Sequence, residues 1–389
     1  MNGARHIALI GNAAATMVAF RGPLIAALSG AGHRVSAICP PGSPADAAAL
    51  HALGARHIPL GALSPGGIAP AAELAALREL TQILRDARPD IVFCYFLKPL
   101  IWGAIAARRA GVARVTGMIE GMGYAFSHPP AGAAGRARQL LARGALLALL
   151  RPALARLDAL IMLNPADRDL AQHRGAIAPQ KLHLIDGIGV DLAHFAPAPL
   201  PDGPPRFVLA ARLIREKGIA EFLAAARALE GQARFRLLGA PDPARGAALA
   251  ADLAAARSRG LIEWPGHVAD IRPHLRDSSV FVLPTLYREG LPRSVMEAMA
   301  MGRPVITTDM PGARDAVTDG QSGLVVQAGD RPALIAACRR FITTPGLAAS
   351  MGAAARSEAL RRYDLPRSTA LQAAVVLGDG DFGKRCVAL

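Results

Sequence analysis

Aromatic residues are scarce in this chain. Phe, Trp and Tyr make up 4% of 389 residues, against 52% hydrophobic residues overall. A core built from such a chain consists mainly of Ala, Leu, Val and Ile. The scarcity of aromatics and the lack of a nucleic-acid-binding motif disfavour a nucleic acid as partner. Cysteines are few: Cys39, Cys94, Cys338 and Cys386 are scattered, with no C-x-x-C spacing. That pattern argues against a zinc site and a disulfide framework, and makes a reducing cytosol the default compartment. No uninterrupted apolar run reaches bilayer length. The first strand-to-helix turn, Gly11-Asn12-Ala13-Ala14-Ala15, lacks G-x-G-x-x-G, so a dinucleotide-binding dehydrogenase loses its main support. Lysine is rare too: Lys98, Lys181, Lys217 and Lys384 are the only four.

Arginine is what the chain has in excess, and it carries most of the formal net charge of +14. Such a balance suits anionic partners: a nucleoside diphosphate, a lipid phosphate or an anionic membrane face. Arg136, Arg143 and Arg151 recur at seven- and eight-residue spacing, on one stripe of a predicted helix over 135–157. Such a helix can rest on anionic headgroups with its leucines in the interface. The plainer reading is a core-facing helix with a solvated arginine face.

At the N-terminus, Arg5, an apolar stretch and Ala13-Ala14-Ala15 have the outline of a secretory signal. Strand, loop and helix fit better, because cleavage there would remove a sheet strand. Strand-like runs recur at 6–10, 34–39, 56–60, 90–96, 114–119, 158–163 and 181–185, with helical stretches such as Ala71–Arg88 between them. This alternation predicts an α/β fold with a parallel sheet covered on both faces. The proline-rich stretch after Phe195 marks a boundary. We therefore expect domains at 1–195 and 196–365, and a closing segment, 366–389, with a frayed end.

The second half is organised around Arg288–Asp309, which follows the strand-like run Ser279–Pro284. It reads as loop, helix, glycine stop and strand, with Pro292 in the first helical turn and Gly302 and Pro304 ending the helix. Glu289 then lies beyond a strand's carboxyl end, where open α/β sheets bind ligands, and Glu297 lies in the helix that follows. The N–H groups within residues 290 to 294, including Gly290 and Leu291 and lacking only that of Pro292, favour an anion. The two carboxylates make sense as acceptors for hydroxyls on something attached to that anion: a sugar on one side, a ribose on the other. Two solvated glutamates on a surface helix are the bland alternative.

Glu289-Gly290-Leu291-Pro292, Glu297-Ala298-Met299-Ala300-Met301-Gly302-Arg303-Pro304-Val305-Ile306, Pro311–Asp315 and Asp319–Val326 together resemble the signature of the retaining glycosyltransferases of family GT4. The resemblance implies a GT-B fold, two Rossmann-like doubly wound domains facing a cleft, with the donor in the second and the acceptor in the first. It implies retaining transfer from a UDP-sugar, with Glu289 on the donor sugar hydroxyls and Glu297 on the ribose. It places Arg212 and Lys217 on the departing diphosphate, a role that suits a forked guanidinium and a compact ammonium. Val268 is placed against the nucleobase through its backbone, and Gly11 on the acceptor side. It also implies that the closing segment crosses back onto the first domain.

Lys98, at a predicted strand end, is a candidate phosphate contact or else a solvated lysine. Glu120, beside Gly121 and Gly123, is a candidate for acceptor binding or proton handling. No D-x-D metal motif lies near the proposed site, so no metal is expected. The text around Glu120–Phe126 and Tyr287–Ser294 is similar to a bacterial subgroup acting on undecaprenyl-diphosphate-linked sugars in O-antigen, capsule or glycoprotein pathways. That implies a polyprenyl-diphosphate-linked acceptor, an N-acetylhexosamine such as GalNAc as donor sugar, and a cytoplasmic enzyme peripheral on the inner membrane face. A non-catalytic sugar-nucleotide-binding scaffold and a GT-B epimerase or phosphorylase are the competing classes.

Overall fold

The computed structural model describes residues 3–63, 70–130, 132–174, 177–242, 246 and 249–379. Of the expected frayed end, the last dozen residues, the part from residue 380 on lies outside them. The chain forms two compact units. The first runs to Met122, resumes over Leu140–Ile188 and takes in the chain from Leu365 on; the second comprises Gly123–Gln139 and Gly189–Asp364.

In the first unit, strands and helices alternate: β1 (His6–Ile10), α1 (Ala14–Gly30), β2 (Arg34–Cys39), α2 (Pro44–Ala52), β3 (Ala55–Pro59), α3 (Pro70–Ala87), β4 (Ile91–Tyr95), α4 (Leu97–Arg109) and β5 (Arg114–Ile119). Helix α5 (Ala133–Leu154) bridges the unit boundary, and β6 (Ala159–Met162), α6 (Pro165–Arg174) and β7 (Leu182–Leu184) follow. The sheet is parallel, in the order β3-β2-β1-β4-β5-β6-β7. Its central strands read as continuous apolar runs because helices cover both faces. Every residue of β1 and β4 is buried.

The second unit repeats the plan: β8 (Arg206–Ala210), α7 (Ile219–Ala228), β9 (Arg234–Leu238), α8 (Ala250–Ser258), β10 (Glu263–Gly266), α9 (Arg272–Arg276), β11 (Val280–Leu283), α10 (Arg293–Ala300), β12 (Val305–Thr308), β13 (Gly323–Val326), α11 (Arg331–Thr343) and α12 (Leu347–Arg362). Its parallel sheet has the order β10-β9-β8-β11-β12-β13. Phe207, Phe222, Phe235 and Phe341 lie in its buried core. Phe235 lies between Phe207 and Phe222, with ring centroids 5.1 and 5.4 Å away.

The last helix, α13 (Leu365–Leu377), packs on α1 within the first unit. Its terminal carbonyls are met by cations. Arg114 donates to Val375 O and Val376 O at 2.8 and 2.9 Å, and Arg5 to Leu377 O at 3.0 Å. Positive charge at a helix carboxyl end is favourable, because the unpaired carbonyls there carry partial negative charge.

In both sheets the strand order reverses beside the first strand of the unit, between β1 and β4 and between β8 and β11. Connections leave in opposite directions at such a point and open a crevice at the carboxyl ends, the usual ligand position in this architecture.

Candidate active site

The loops after β8 and β11 meet at the reversal point of the second sheet. After β8 the chain passes Arg212 and makes a short 3-10 turn, Arg215–Lys217. Gly218 then takes φ 74°. A Cβ there would lie 1.9 Å from the Pro284 carbonyl oxygen, so only glycine lets the two loops come this close. The approach joins Lys217 to Glu289 in an ion pair. Their side chains are 14% and 11% exposed, so the pair is largely out of water. Thr285 Oγ1 donates to Glu289 Oε1 at 3.2 Å, and the Lys217 ammonium lies 5.5 Å from the centre of the Tyr287 ring. From the other side Gly312, at φ 81°, brings its backbone against the Glu289 and Gly290 carbonyls, where a Cβ would stand 2.3–2.4 Å away.

Gly290, Leu291 and Pro292 are buried and lead straight into α10. Pro292, expected within the first helical turn, is the capping residue instead. Its carbonyl accepts from Val295 N and Met296 N, while its own backbone stays extended at φ −66°, ψ 119°. No side chain caps this helix start, and such ends attract anions. One turn in, α10 buries Val295, Met296 and Ala298–Ala300 and turns Glu297 to its polar side. Arg293 Nε donates to Glu297 Oε1 at 2.9 Å. Burial pushes the Glu297 carboxyl above its ordinary range, and Arg293 opposes that rise. A carboxylate held this way gains by accepting further hydrogen bonds.

Arg212 is exposed and reaches Asp242 at 3.6 Å. Val268 follows β10 and is half-buried. That strand end is fixed by Trp264 Nε1, which donates to Gly239 O at 2.9 Å. The structure therefore brings Lys217 and Glu289 into contact, sets Gly290–Pro292 directly after them, and holds Arg212, Glu297 and Val268 on the same carboxyl edge of the second sheet.

Gly11, Lys98 and Glu120 belong to the first unit. Gly11 ends β1, and a Cβ on it would lie 2.3 Å from the Tyr95 hydroxyl, so the glycine makes room for that ring. Glu120 follows β5 and pairs with Arg21 of α1, whose side chain is fully buried and stacks over Tyr95 at 4.5 Å. Burial pushes the Glu120 carboxyl up, and Arg21 opposes it. Removing either partner would strand a buried charge, which is costly. Lys98 does not sit in a loop. Helix α4 begins at Leu97, and the Lys98 ammonium lies 2.7 Å from the buried Glu73 of α3. Arg21, Tyr95, Thr285 and Tyr287 were not singled out in the sequence. The only signal for Arg21 is a charge in the middle of an apolar helix.

Among the described residues, no group of three or more His, Cys, Asp or Glu side chains is placed to hold a metal ion. In chemical terms the second unit offers a cation beside a carboxylate, an anion-attracting helix start and a second buried carboxylate one turn further on.

A twice-repeated Rossmann-like plan is the GT-B architecture. Residues 17–187 match the family described as Glycosyl transferase 4-like domain, and residues 204–344 match Glycosyl transferases group 1. The chain is thus a GT-B-fold glycosyltransferase related to the GT4-family enzymes. It is 25% identical to the N,N'-diacetylbacillosaminyl-diphospho-undecaprenol alpha-1,3-N-acetylgalactosaminyltransferase of Campylobacter jejuni, over 82% of this chain and 84% of that protein. It is 26% identical to the UDP-Gal:alpha-D-GlcNAc-diphosphoundecaprenol alpha-1,3-galactosyltransferase of Escherichia coli, over 69% and 70% of the two chains. Among solved structures, Anabaena HepE in complex with UDP and glucose shares the fold, with a TM-score of 0.76 at 16% identity, over 96% of this chain and 99% of that one.

Proposed function

We propose that this glycosyltransferase moves an N-acetylhexosamine from a UDP-sugar to a polyprenyl-diphosphate-linked saccharide in bacterial surface-glycan synthesis, with retention at the anomeric carbon. The observation that carries this is the Lys217–Glu289 ion pair at the reversal point of the second sheet. Glu289 accepts hydrogen bonds from donor sugar hydroxyls, while Lys217 and Arg212 meet the diphosphate. As the bond to the anomeric carbon breaks, negative charge grows on the leaving diphosphate. A preplaced ammonium and guanidinium stabilise that charge more than they stabilise the bound donor, and this difference lowers the barrier. These two cations do this without a metal ion. The uncapped start of α10 adds N–H donors, Glu297 takes the ribose hydroxyls, and Val268 lies against the base. In the first unit Glu120, with its charge balanced by Arg21, orients the acceptor.

The names of the Campylobacter and E. coli relatives support a diphospho-undecaprenol acceptor, since each carries that group in its own name. The surface of α5 supports work at a membrane face. Arg136, Leu140 and Arg143 follow one another along one stripe of the helix, and Leu140 and Leu141 are 65% and 75% exposed. Leucines flanked by arginines suit an anionic lipid interface. No helix among the described residues is long and apolar enough to cross a bilayer.

The test is sugar transfer from a panel of UDP-sugars to polyprenyl-diphosphate-linked saccharides in vesicles, neutral or with anionic lipid, with the product anomer read by NMR. We expect one UDP-N-acetylhexosamine to be used in the presence of EDTA, with an α-linked product. Anionic lipid should raise the rate for the wild type and much less for the Arg136→Ala/Arg143→Ala/Arg151→Ala variant. Nucleotide binding without transfer to any acceptor would refute catalysis on lipid-linked sugars. A β-linked product would refute retention from an α-linked donor, and a rate indifferent to lipid charge would refute the role of α5.

A further inference from the structure

Between β5 and α5 the chain leaves the first unit at Met122 and rejoins it at Leu140, and the segment between packs within the second unit. There it grips the loop that carries Glu289. His128 N donates to Leu286 O at 2.7 Å, and Gly123 N to Arg288 O at 3.4 Å. Ser127 Oγ accepts from Arg288 N at 3.3 Å and donates to Gly123 O at 3.1 Å. The Arg288 guanidinium lies 5.5 Å from the centre of the Phe126 ring. The gripping turn is itself pinned from behind. Gln139, 7% exposed, donates from Nε2 to Tyr124 O at 3.0 Å and to Ser127 O at 2.9 Å.

Every one of these bonds to the second-sheet loop falls on Leu286 or Arg288, the latter immediately before Glu289. A loop residue that must place two carboxylate oxygens to within a few tenths of an ångström needs its backbone fixed by groups outside the loop. Lys217 and Thr285 hold the Glu289 side chain; Thr285 Oγ1 also accepts from Tyr287 N at 3.1 Å and Glu216 O from Leu286 N at 2.7 Å, while the Arg288 N–H, next to Glu289, goes to Ser127. Ser127 adds the restraint at Arg288, and Gln139 holds the Ser127 turn in place. We infer that Gly123–His128, backed by Gln139, act as a clasp that sets the position of Glu289, with Ser127 and Gln139 as positioning residues for recognition of the donor sugar. This rests on the assignment of Glu289 to the donor sugar hydroxyls.

The test compares Ser127→Ala and Gln139→Met with wild type and Glu289→Ala. Gln139→Met nearly conserves volume while removing both N–H donors. Three quantities are read: calorimetric affinity for UDP, calorimetric affinity for the UDP-sugar that wild type uses, and kcat. The clasp predicts wild-type UDP affinity in both variants, a loss of most of the extra affinity for the UDP-sugar, and a kcat lower by about ten- to a hundredfold. Wild-type values of all three would overturn it. So would an equal weakening of UDP and UDP-sugar accompanied by a fall in melting temperature, the mark of a merely structural role. If Glu289→Ala itself keeps the wild-type preference for the UDP-sugar, the assignment of Glu289 fails, and the clasp's purpose with it.

Discussion

Glu289→Ala is expected to reduce kcat by about two to three orders of magnitude, the range for removing one preplaced group from a reacting centre. UDP affinity should be retained, because on the proposed assignment the carboxylate meets the sugar and not the nucleotide. Steady-state rates together with calorimetric UDP affinity separate the two. Stability changes as well. The substitution leaves the Lys217 ammonium without its carboxylate in a site where that side chain is only 14% exposed. The cost should reach about 3 kcal/mol, the low end for breaking a buried pair, since both partners keep some contact with water. Glu289→Gln keeps the shape and the Thr285 hydrogen bond, and should recover part of the stability but little of the rate. A Glu289→Ala variant with near-wild-type kcat would remove the carboxylate from the chemistry.

Lys217→Ala carries the second large effect, a loss of about a thousandfold in kcat. The ammonium is the buried cation of the pair, and Arg212, with a side chain 66% exposed, is too well solvated to replace it. Charge in water is screened, whereas charge in a largely dry site is not. Lys217→Arg should restore little, because a planar fork does not match a compact charge packed against Tyr287. A donor analogue with a better leaving group distinguishes the role. The deficit of Lys217→Ala should shrink with such a donor if the lysine stabilises the departing diphosphate. A deficit of the same size for both donors would mean that Lys217 only holds Glu289 in place.

The sheet plan was legible because buried parallel strands read as short apolar runs between helices. The structure keeps the expected bounds of β1, β2 and β5, shifts 56–60 by one residue to β3 at Ala55–Pro59, and trims the other three by one residue at each end, as where 90–96 become β4 at Ile91–Tyr95. Glu289 and Glu297 were legible because strand, loop, proline and helix occupy one continuous stretch, so local sequence dictates their placement. The side chains' partners were not. Lys98 looked like a loop lysine because the turn of the chain at Phe96, with φ 64°, lets α4 begin at once, and Glu73 comes from a different helix. Arg21 and Glu120 stand 99 residues apart, and Ser127 reaches Arg288 across 161. Pairings at such distances are set by how the elements pack. No local spacing encodes them.

The most direct measurement is calorimetric titration of UDP, GDP, ADP and UDP-N-acetylhexosamines into wild type, Glu297→Ala and Glu289→Ala. The site predicts that UDP binds wild type in preference to GDP and ADP. Glu297→Ala should weaken UDP and UDP-sugar alike by about tenfold, the worth of a charge-assisted hydrogen bond. Glu289→Ala should spare UDP and lose only the contribution of the sugar. Equal binding of all three nucleotides, or a Glu297→Ala variant that binds UDP as wild type does, would contradict the division of one nucleotide sugar between these two glutamates.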